Sequence, residues 1–148
     1  MRKRVFLLSL CALLFVQLTA SAQSADTNKP GVEDVPPVIL SGLQGFKDKG
    51  PEEAVRIWIK DSPIDGSKEA VTQANSLRQV QDFYGAYQSF EVLIAHDLGH
   101  RTRVLYLTLE FEKGPLFAKF VVYRSNHRWI LTSFNFNTKE ELILPPVQ

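Results

Sequence analysis

"YQSFEVLIAHDLGHRTRVLYLTLEFEKGPLFAKFVVYRSNHRWILTSFNFN", residues 87–137, is the stretch that decides the fold. Apolar and polar residues alternate along it, and this alternation is typical of β-strands. It predicts four strands, over residues 87–97, 101–113, 116–125 and 128–137. Because the connections "DLGHR", "EKGPL" and "RSNHR" are short, consecutive strands must run antiparallel and form a meander.

Both faces of this predicted sheet carry apolar residues. In the second strand one face holds Leu105, Leu107, Leu109 and Phe111, and the other holds Val104, Tyr106, Thr108 and Glu110. A single layer of helices covers only one face. We therefore expect the other face to meet a partner chain, a ligand or the C-terminal tail, whose residues 142–144 are apolar.

Three helical patterns precede the strands. The first has apolar residues at Val35, Ile39, Leu43 and Phe46, although Gly42 and Gly45 weaken the helical pattern. Pro51 fits the first position of the second helix. Ser67 can cap the third helix, which Gly85 ends, and its apolar stripe comprises Ala70, Val71, Ala74, Leu77, Val80 and Tyr84. Helices followed by a run of strands indicate an α+β domain over residues 35–148.

The chain begins with the features of a secretory signal peptide over residues 1–22. Arg2, Lys3 and Arg4 precede an apolar run over residues 5–18, and small residues at positions 20–22 predict cleavage after Ala22. The run is shorter than the roughly 20 residues that span a bilayer. We therefore expect a periplasmic or secreted protein without a membrane anchor, whose polar residues 23–34 form a disordered lead.

Cleavage changes the composition of the predicted mature chain. It removes three of the 17 basic residues and leaves 14 against 16 acidic ones, a balance that does not favour a nucleic-acid partner. It also removes Cys11, the single cysteine of the sequence. Neither a disulfide nor a thiolate metal site is then expected, and no motif for a cofactor occurs.

Several short motifs resemble uncharacterised secreted bacterial members of the nuclear transport factor 2-like (cystatin-like) superfamily. They are "RIWIKDSP", "FYGAY", "GPLFAKFVVYRSNHRWIL", "FNFNT" and "ILPP", within residues 35–146. The resemblance implies N-terminal helices packed on a curved four-stranded antiparallel meander, which together form a cone around a pocket. The superfamily includes isomerases, dehydratases, cyclases and hydrolases as well as binding and dimerisation modules, so this fold does not determine a function.

A candidate pocket lies on the sheet face that carries Tyr106. Register counted from the turns places Thr108 near Phe120 and Ser133, and Glu110 near Ala118 and Asn135, with Lys119 on the opposite face. The candidate pocket residues are thus Tyr106, Thr108, Glu110, Ser133 and Asn135. A few polar groups on an apolar wall are typical of a ligand site, and Glu110 could serve as a general base. The alternative is that Thr108 and Glu110 are solvated positions of a half-exposed strand.

A second candidate lies at the end of the sheet that the first and third turns share. It comprises His96, His100, Arg101, His127 and Arg128. The two turns are about 10 Å apart and rich in arginine, so we expect no metal ion there. Solvated hairpin tips are the favoured interpretation, and an anion-binding or pH-responsive surface is the alternative.

These observations predict a non-enzymatic module that binds a small ligand or a protein, with no catalytic residues assigned. One alternative is a small-molecule isomerase, dehydratase or hydrolase that uses Glu110. Another is a module that forms a homodimer through a sheet face.

Overall fold

The computed structural model describes residues 30–146, so the predicted signal peptide lies outside the described residues. A short 3-10 turn, Val32–Asp34, falls at the end of the segment predicted as a disordered lead. The helices are α1 (Pro37–Lys49), α2 (Pro51–Ile59) and α3 (Lys68–Tyr84), and the strands are β1 (Tyr87–Leu98), β2 (Thr102–Phe111), β3 (Gly114–Ser125) and β4 (Arg128–Asn137). A second 3-10 turn, Glu140–Leu142, follows β4.

The predicted α+β class is confirmed in the part of the chain that the structure describes. Three helices pack with an open four-stranded antiparallel sheet in the order β1-β2-β3-β4. Pro51 begins α2, the Ser67 hydroxyl accepts a hydrogen bond from the backbone N–H of Ala70, and Gly85 ends α3, all as predicted. In the predicted stripe of α3, Val71 is an exception because it is exposed.

The helices cover the sheet face that carries Leu105, Leu107 and Leu109, which we call the inner face. All three leucines are fully buried there. Aromatic rings fill the space between the layers: Trp58 of α2 packs edge-on against Phe120, with ring centroids 5.0 Å apart, and Phe46 of α1 stacks on Tyr87 at 4.9 Å. The inner face is thus a packed core, and burial raises the pKa of Tyr87 to about 12.

Gly42 and Gly45, which weakened the sequence pattern of α1, lie where α2 crosses it. A Cβ atom on Gly42 would come within 1.9 Å of Trp58 Nε1, and one on Gly45 within 2.6 Å of the Ile57 side chain. The close approach lets Trp58 Nε1 donate a buried hydrogen bond of 3.1 Å to the carbonyl of Ile39. These glycines are therefore packing residues within an intact helix.

The predicted pairing of β2 with β3 is wrong by three residues. Phe111 pairs with Gly114, so the turn contains only Glu112 and Lys113. Both turn amides donate to the chain that leaves α3, the Glu112 N–H to the carbonyl of Ala86 and the Lys113 N–H to that of Tyr84. These tertiary hydrogen bonds hold the turn tight, whereas the sequence predicted the longer connection "EKGPL".

The pairing of β3 with β4 agrees with the prediction from the turn up to Val122, which lies opposite Leu131. A bulge at Thr132 then shifts the register by one residue, and the Thr132 hydroxyl donates to the carbonyl of Val121 at 3.0 Å. The register differs from the prediction by three residues between β2 and β3 and by one residue between β3 and β4. Together these differences move β4 by four residues, an even number, relative to its predicted position opposite β2. Ser133 and Asn135 therefore stay on the face of Tyr106, because side-chain direction repeats every two residues.

Lys119 changes face as a result of the shift between β2 and β3. It pairs with Tyr106 and Asn135 and so lies on the face of Tyr106, not on the opposite face as predicted. Its ammonium group lies 5.6 Å from the centre of the Tyr106 ring, which is within the range of a cation–π contact.

Candidate functional site

The second sheet face, which we call the outer face, is covered at its centre by the C-terminal tail. After the Glu140–Leu142 turn, Ile143 is buried and Leu144 half-buried. Their apolar neighbours on the outer face are Leu93, Ile94, Val104, Tyr106, Phe117 and Val121. The tail was one of the three occupants predicted for this face. Leu142, the last residue of the turn, is 64% exposed.

A bulge in β1 widens the apolar surface under the tail. Val92 pairs with Leu107 and Ile94 pairs with Tyr106, so Leu93 is an extra residue without a partner in β2. Both Leu93 and Ile94 pack in the tail cluster. A bulge of this kind re-aims side chains, and here it adds a residue to the outer face.

The five candidate pocket residues share the outer face but do not form one cluster. Tyr106 and Asn135 are joined across β3 by Lys119, Ser133 pairs with Val121, Thr108 with Phe117, and Glu110 with Pro115. With about 3.4 Å per strand residue, Ser133 and Glu110 lie about 20 Å apart along the sheet. Tyr106 and Thr108 are thus neighbours on β2, whereas Asn135 lies two strands from Tyr106, beyond Lys119. Glu110 and Ser133 lie toward the two ends of the face.

Thr108 is the buried polar residue of this face. Its side chain is 8% exposed, and its hydroxyl oxygen has no hydrogen-bond partner among the described residues. Tyr106 beside it is 7% exposed, with its ring 6.3 Å from the His96 ring. Glu110, in contrast, is half-buried at the end of β2. The hydroxyl of Thr108 is therefore the polar group on this face that a ligand could satisfy.

A groove of about 560 Å³ runs beside the tail. Ile94 of the sheet lines this groove together with five residues of the tail: Glu140, Glu141, Leu144, Pro145 and Pro146. A second groove of about 550 Å³ lies between α1 and the start of β1, where Leu40, Leu43 and Phe90 contribute to its lining. Glu110 lines neither groove.

The second candidate site forms where the β1–β2 and β3–β4 turns meet. A cavity of about 360 Å³ is lined by His100, Arg101, Arg124, Asn126 and His127. We call these five residues the basic pocket. Three of these residues, His100, Arg101 and His127, belong to the candidate site predicted from the sequence. Turn parity also places Arg124 at this end of the sheet, but Arg124 and Asn126, both in the connection "RSNHR", were not among the five candidate residues.

His96 and Arg128 lie outside the lining of the basic pocket. His96 is on the outer face, paired with Val104. Arg128 forms an ion pair of 3.1 Å with Asp61, which follows α2. Among residues 30–146, no group of three histidine, cysteine or acidic side chains is arranged to hold a metal ion.

Comparisons with known proteins leave the family open. No protein-family model matches the chain, and no curated protein or solved structure matches it either. The resemblance to the nuclear transport factor 2-like superfamily therefore stays a prediction. Between residues 30 and 146, none of the helices has the length and apolar character needed to cross a bilayer.

Proposed function

We propose that this chain is an exported, non-enzymatic binding module that takes an apolar small ligand on the outer face of its sheet. The observation that carries the proposal is the hydroxyl of Thr108, which has no hydrogen-bond partner within residues 30–146 and lies beside an apolar surface that the C-terminal tail covers. Periplasmic or secreted location follows from the signal peptide predicted for residues 1–22.

The tail is held weakly enough to be displaced. It contributes one buried and one half-buried apolar side chain, Ile143 and Leu144, to the packing of the outer face. The cost of ordering the backbone of the tail opposes this contribution. The amides of Ile143 and Leu144 donate to the Glu140 carbonyl, and these local hydrogen bonds offset only part of that cost.

Displacement of the tail would open a site with the composition of a ligand pocket. Its walls would be Tyr106, Phe117 and Val121. Its polar groups would be Thr108, with Lys119 and Asn135 at its side. A buried hydroxyl without a partner costs about 1–3 kcal/mol, and a ligand that bonds to Thr108 would recover this free energy. We therefore expect the ligand to be apolar with one hydrogen-bonding group.

A catalytic role for Glu110 has less support than binding. Glu110 pairs with Ser89 and Pro115 at the end of β2, four residue pairs from Tyr106. Glu110 lines neither of the two grooves nor the basic pocket. The enclosed cone of the nuclear transport factor 2-like fold would place a pocket beneath the helices, where Trp58 and Phe120 now fill the space.

The proposal is tested by releasing the tail. Ile143→Ser removes the buried anchor, and Leu142→Ser, at the exposed neighbouring position, is the matched control. We expect an environment-sensitive apolar dye to bind to the Ile143→Ser protein and to gain fluorescence, while the Leu142→Ser protein behaves as the unchanged chain does.

A further substitution separates a ligand site from a merely exposed apolar patch. Thr108→Val keeps the shape of the face and removes the hydroxyl. If a library of apolar alcohols and acids is screened on the Ile143→Ser protein, binders should lose about tenfold in affinity when Thr108→Val is added. Equal dye binding by the Ile143→Ser and Leu142→Ser proteins would contradict the proposal, as would self-association of the released protein in light scattering without any ligand binding.

A further inference from the structure

The basic pocket holds positive side chains from two turns that are distant in sequence. His100 and Arg101 come from the β1–β2 turn, and Arg124, Asn126 and His127 come from the end of β3 and the turn after it. Two guanidinium groups, two imidazoles and a side-chain amide thus border one cavity of about 360 Å³. No acidic side chain is among the residues that line it.

Two acidic residues near this end of the sheet, Asp97 and Asp61, are paired with other arginines. Asp97 accepts two hydrogen bonds from Arg103, at 2.7 and 3.0 Å. The Arg103 guanidinium holds the pKa of the Asp97 carboxyl below its usual range. Asp61 pairs with Arg128. Within residues 30–146, the guanidinium groups of Arg101 and Arg124 are therefore left without a carboxylate partner.

Neutral contacts position these two arginines. Nη1 of Arg101 donates to the Tyr123 hydroxyl at 3.1 Å, and the guanidinium of Arg124 lies 6.0 Å from the centre of the Trp129 ring. Their backbones are joined as well, because the Arg124 N–H donates to the carbonyl of Arg101 at 2.7 Å. Each guanidinium therefore retains donors for a ligand, since an arginine side chain carries five N–H groups.

The turn that supplies Asn126 and His127 has an unusual sequence for its backbone. The two residues have φ angles of 46° and 67°, so both adopt the left-handed conformation of a two-residue hairpin turn. Glycine is the favoured second residue of such a turn, whereas a residue with a side chain costs about 1–2 kcal/mol there. The chain carries a histidine at this position and projects an imidazole beside the pocket.

We propose that the basic pocket binds the phosphate group of a ligand between Arg101 and Arg124. A phosphate presents three acceptor oxygens in different directions, which suits donors that approach from two turns, and arginine binds phosphate with paired hydrogen bonds. A carboxylate presents two coplanar oxygens and would satisfy one arginine. This site differs from the outer face under the tail and does not depend on the function proposed for that face.

The first experiment titrates the full mature chain with inorganic phosphate, with acetate as the comparison anion, and follows backbone amides by NMR. We expect saturable shifts at residues 100–101 and 124–127 with phosphate, and weaker binding of acetate. Arg101→Gln and Arg124→Gln should each weaken phosphate binding about tenfold. Lys113→Gln, with the same charge change in the β2–β3 turn at the other end of the sheet, is the matched control and should have no effect.

The His127→Gly variant distinguishes a histidine that contributes to phosphate binding from one that only occupies the turn. The variant should raise thermal stability, because glycine suits the left-handed backbone, and it should lower phosphate affinity at the same time. A variant that gains stability and binds phosphate unchanged would overturn the role assigned to His127. Shifts that do not saturate, or an equal loss in the Lys113→Gln protein, would overturn the site itself.

Vesicles distinguish the source of the phosphate group. If the group belongs to a lipid headgroup, the protein should co-sediment with phosphatidylglycerol vesicles but not with phosphatidylcholine vesicles, and Arg101→Gln should abolish this. If the phosphate belongs to a soluble molecule, inorganic phosphate should saturate the pocket while neither vesicle binds. The Ile143→Ser protein should bind phosphate as the unchanged chain does, so failure of this site is distinguishable from failure of the outer-face proposal.

Discussion

Replacement of Thr108 by valine is expected to stabilise the protein, although it removes a polar group from a buried threonine. The Thr108 side chain is 8% exposed, and its hydroxyl has no hydrogen-bond partner among the described residues. Valine has nearly the same shape and suits a strand as well as threonine does. The substitution therefore removes the desolvation cost of the hydroxyl without opening a cavity.

The magnitude follows from that cost. An unsatisfied buried hydroxyl destabilises by about 1–3 kcal/mol, so we expect Thr108→Val to raise the free energy of unfolding by about 1–2 kcal/mol. For a domain of this size each kcal/mol corresponds to about 3–6 °C in Tm. Urea unfolding followed by circular dichroism measures the change, and the m-value should stay constant because the folded state is unaltered.

Thr132→Val is the matched control for this prediction. The Thr132 hydroxyl donates to the carbonyl of Val121 at 3.0 Å, so its loss should destabilise by about 0.5–1.5 kcal/mol. The two identical substitutions in one sheet should thus have opposite signs. If Thr108→Val destabilised as much as Thr132→Val does, the Thr108 hydroxyl would have a partner, and the polar anchor proposed for the outer face would be lost.

Two further substitutions test the core and the charged end of the sheet. Gly42→Ala should lower the free energy of unfolding by about 2 kcal/mol or more, because the added methyl group meets the Trp58 ring. This overpacking exceeds the gain of about 1 kcal/mol in helix propensity. Ser41→Ala, at an exposed position, is the control and should change the urea midpoint little. Because the folded-state pKa of Asp97 lies below its unfolded value, its ion pair with Arg103 stabilises the fold above the unfolded pKa, and this contribution is lost as pH falls through the folded value. The difference in Tm between the unchanged chain and Asp97→Asn should therefore shrink as pH is lowered from about 5 to about 2, and a difference that grows in acid would contradict the assignment.

Local sequence patterns predicted the elements well, because both periodicity and capping are local properties. Alternation located all four strands, and Ser67 and Gly85 bounded α3. The pairing of the strands could not be read in the same way. The tight turn after β2 depends on hydrogen bonds to Tyr84 and Ala86, and these residues lie more than 25 positions earlier in the chain.

Gly42 and Gly45 illustrate the same limit in the helices. By propensity a glycine inside a helix is unfavourable, so the pair argued against α1. Contact with α2 reverses that conclusion, because only a residue without Cβ admits the Trp58 ring at this distance. Propensity describes a residue by itself, whereas here the partner helix determines which residue fits.

The candidate sites were predictable to the extent that topology determines them. Alternation placed Tyr106 and Thr108 on one face, and turn parity placed His100, Arg101 and His127 at one end of the sheet. The Thr132 bulge and the short turn after β2 both shifted the register. Because the two shifts add to an even number, Ser133 and Asn135 kept their predicted face for a reason that the sequence did not show.

Local charge, unlike net charge, depends on which residues pair. The full sequence has 17 basic and 16 acidic residues, a balance that by itself argues against an anion site. At the end of the sheet, however, Asp97 and Asp61 are each held by a different arginine, Arg103 and Arg128. A carboxylate already bonded to one guanidinium neutralises a second one poorly. Within residues 30–146, a nearly neutral chain therefore still presents two arginines without a carboxylate partner beside two histidines. The Asp97→Asn substitution therefore also tests the phosphate site. It leaves the Arg103 guanidinium without its carboxylate and should strengthen phosphate binding at low salt. An unchanged phosphate affinity would mean that the charge of the Asp97–Arg103 pair does not reach the basic pocket.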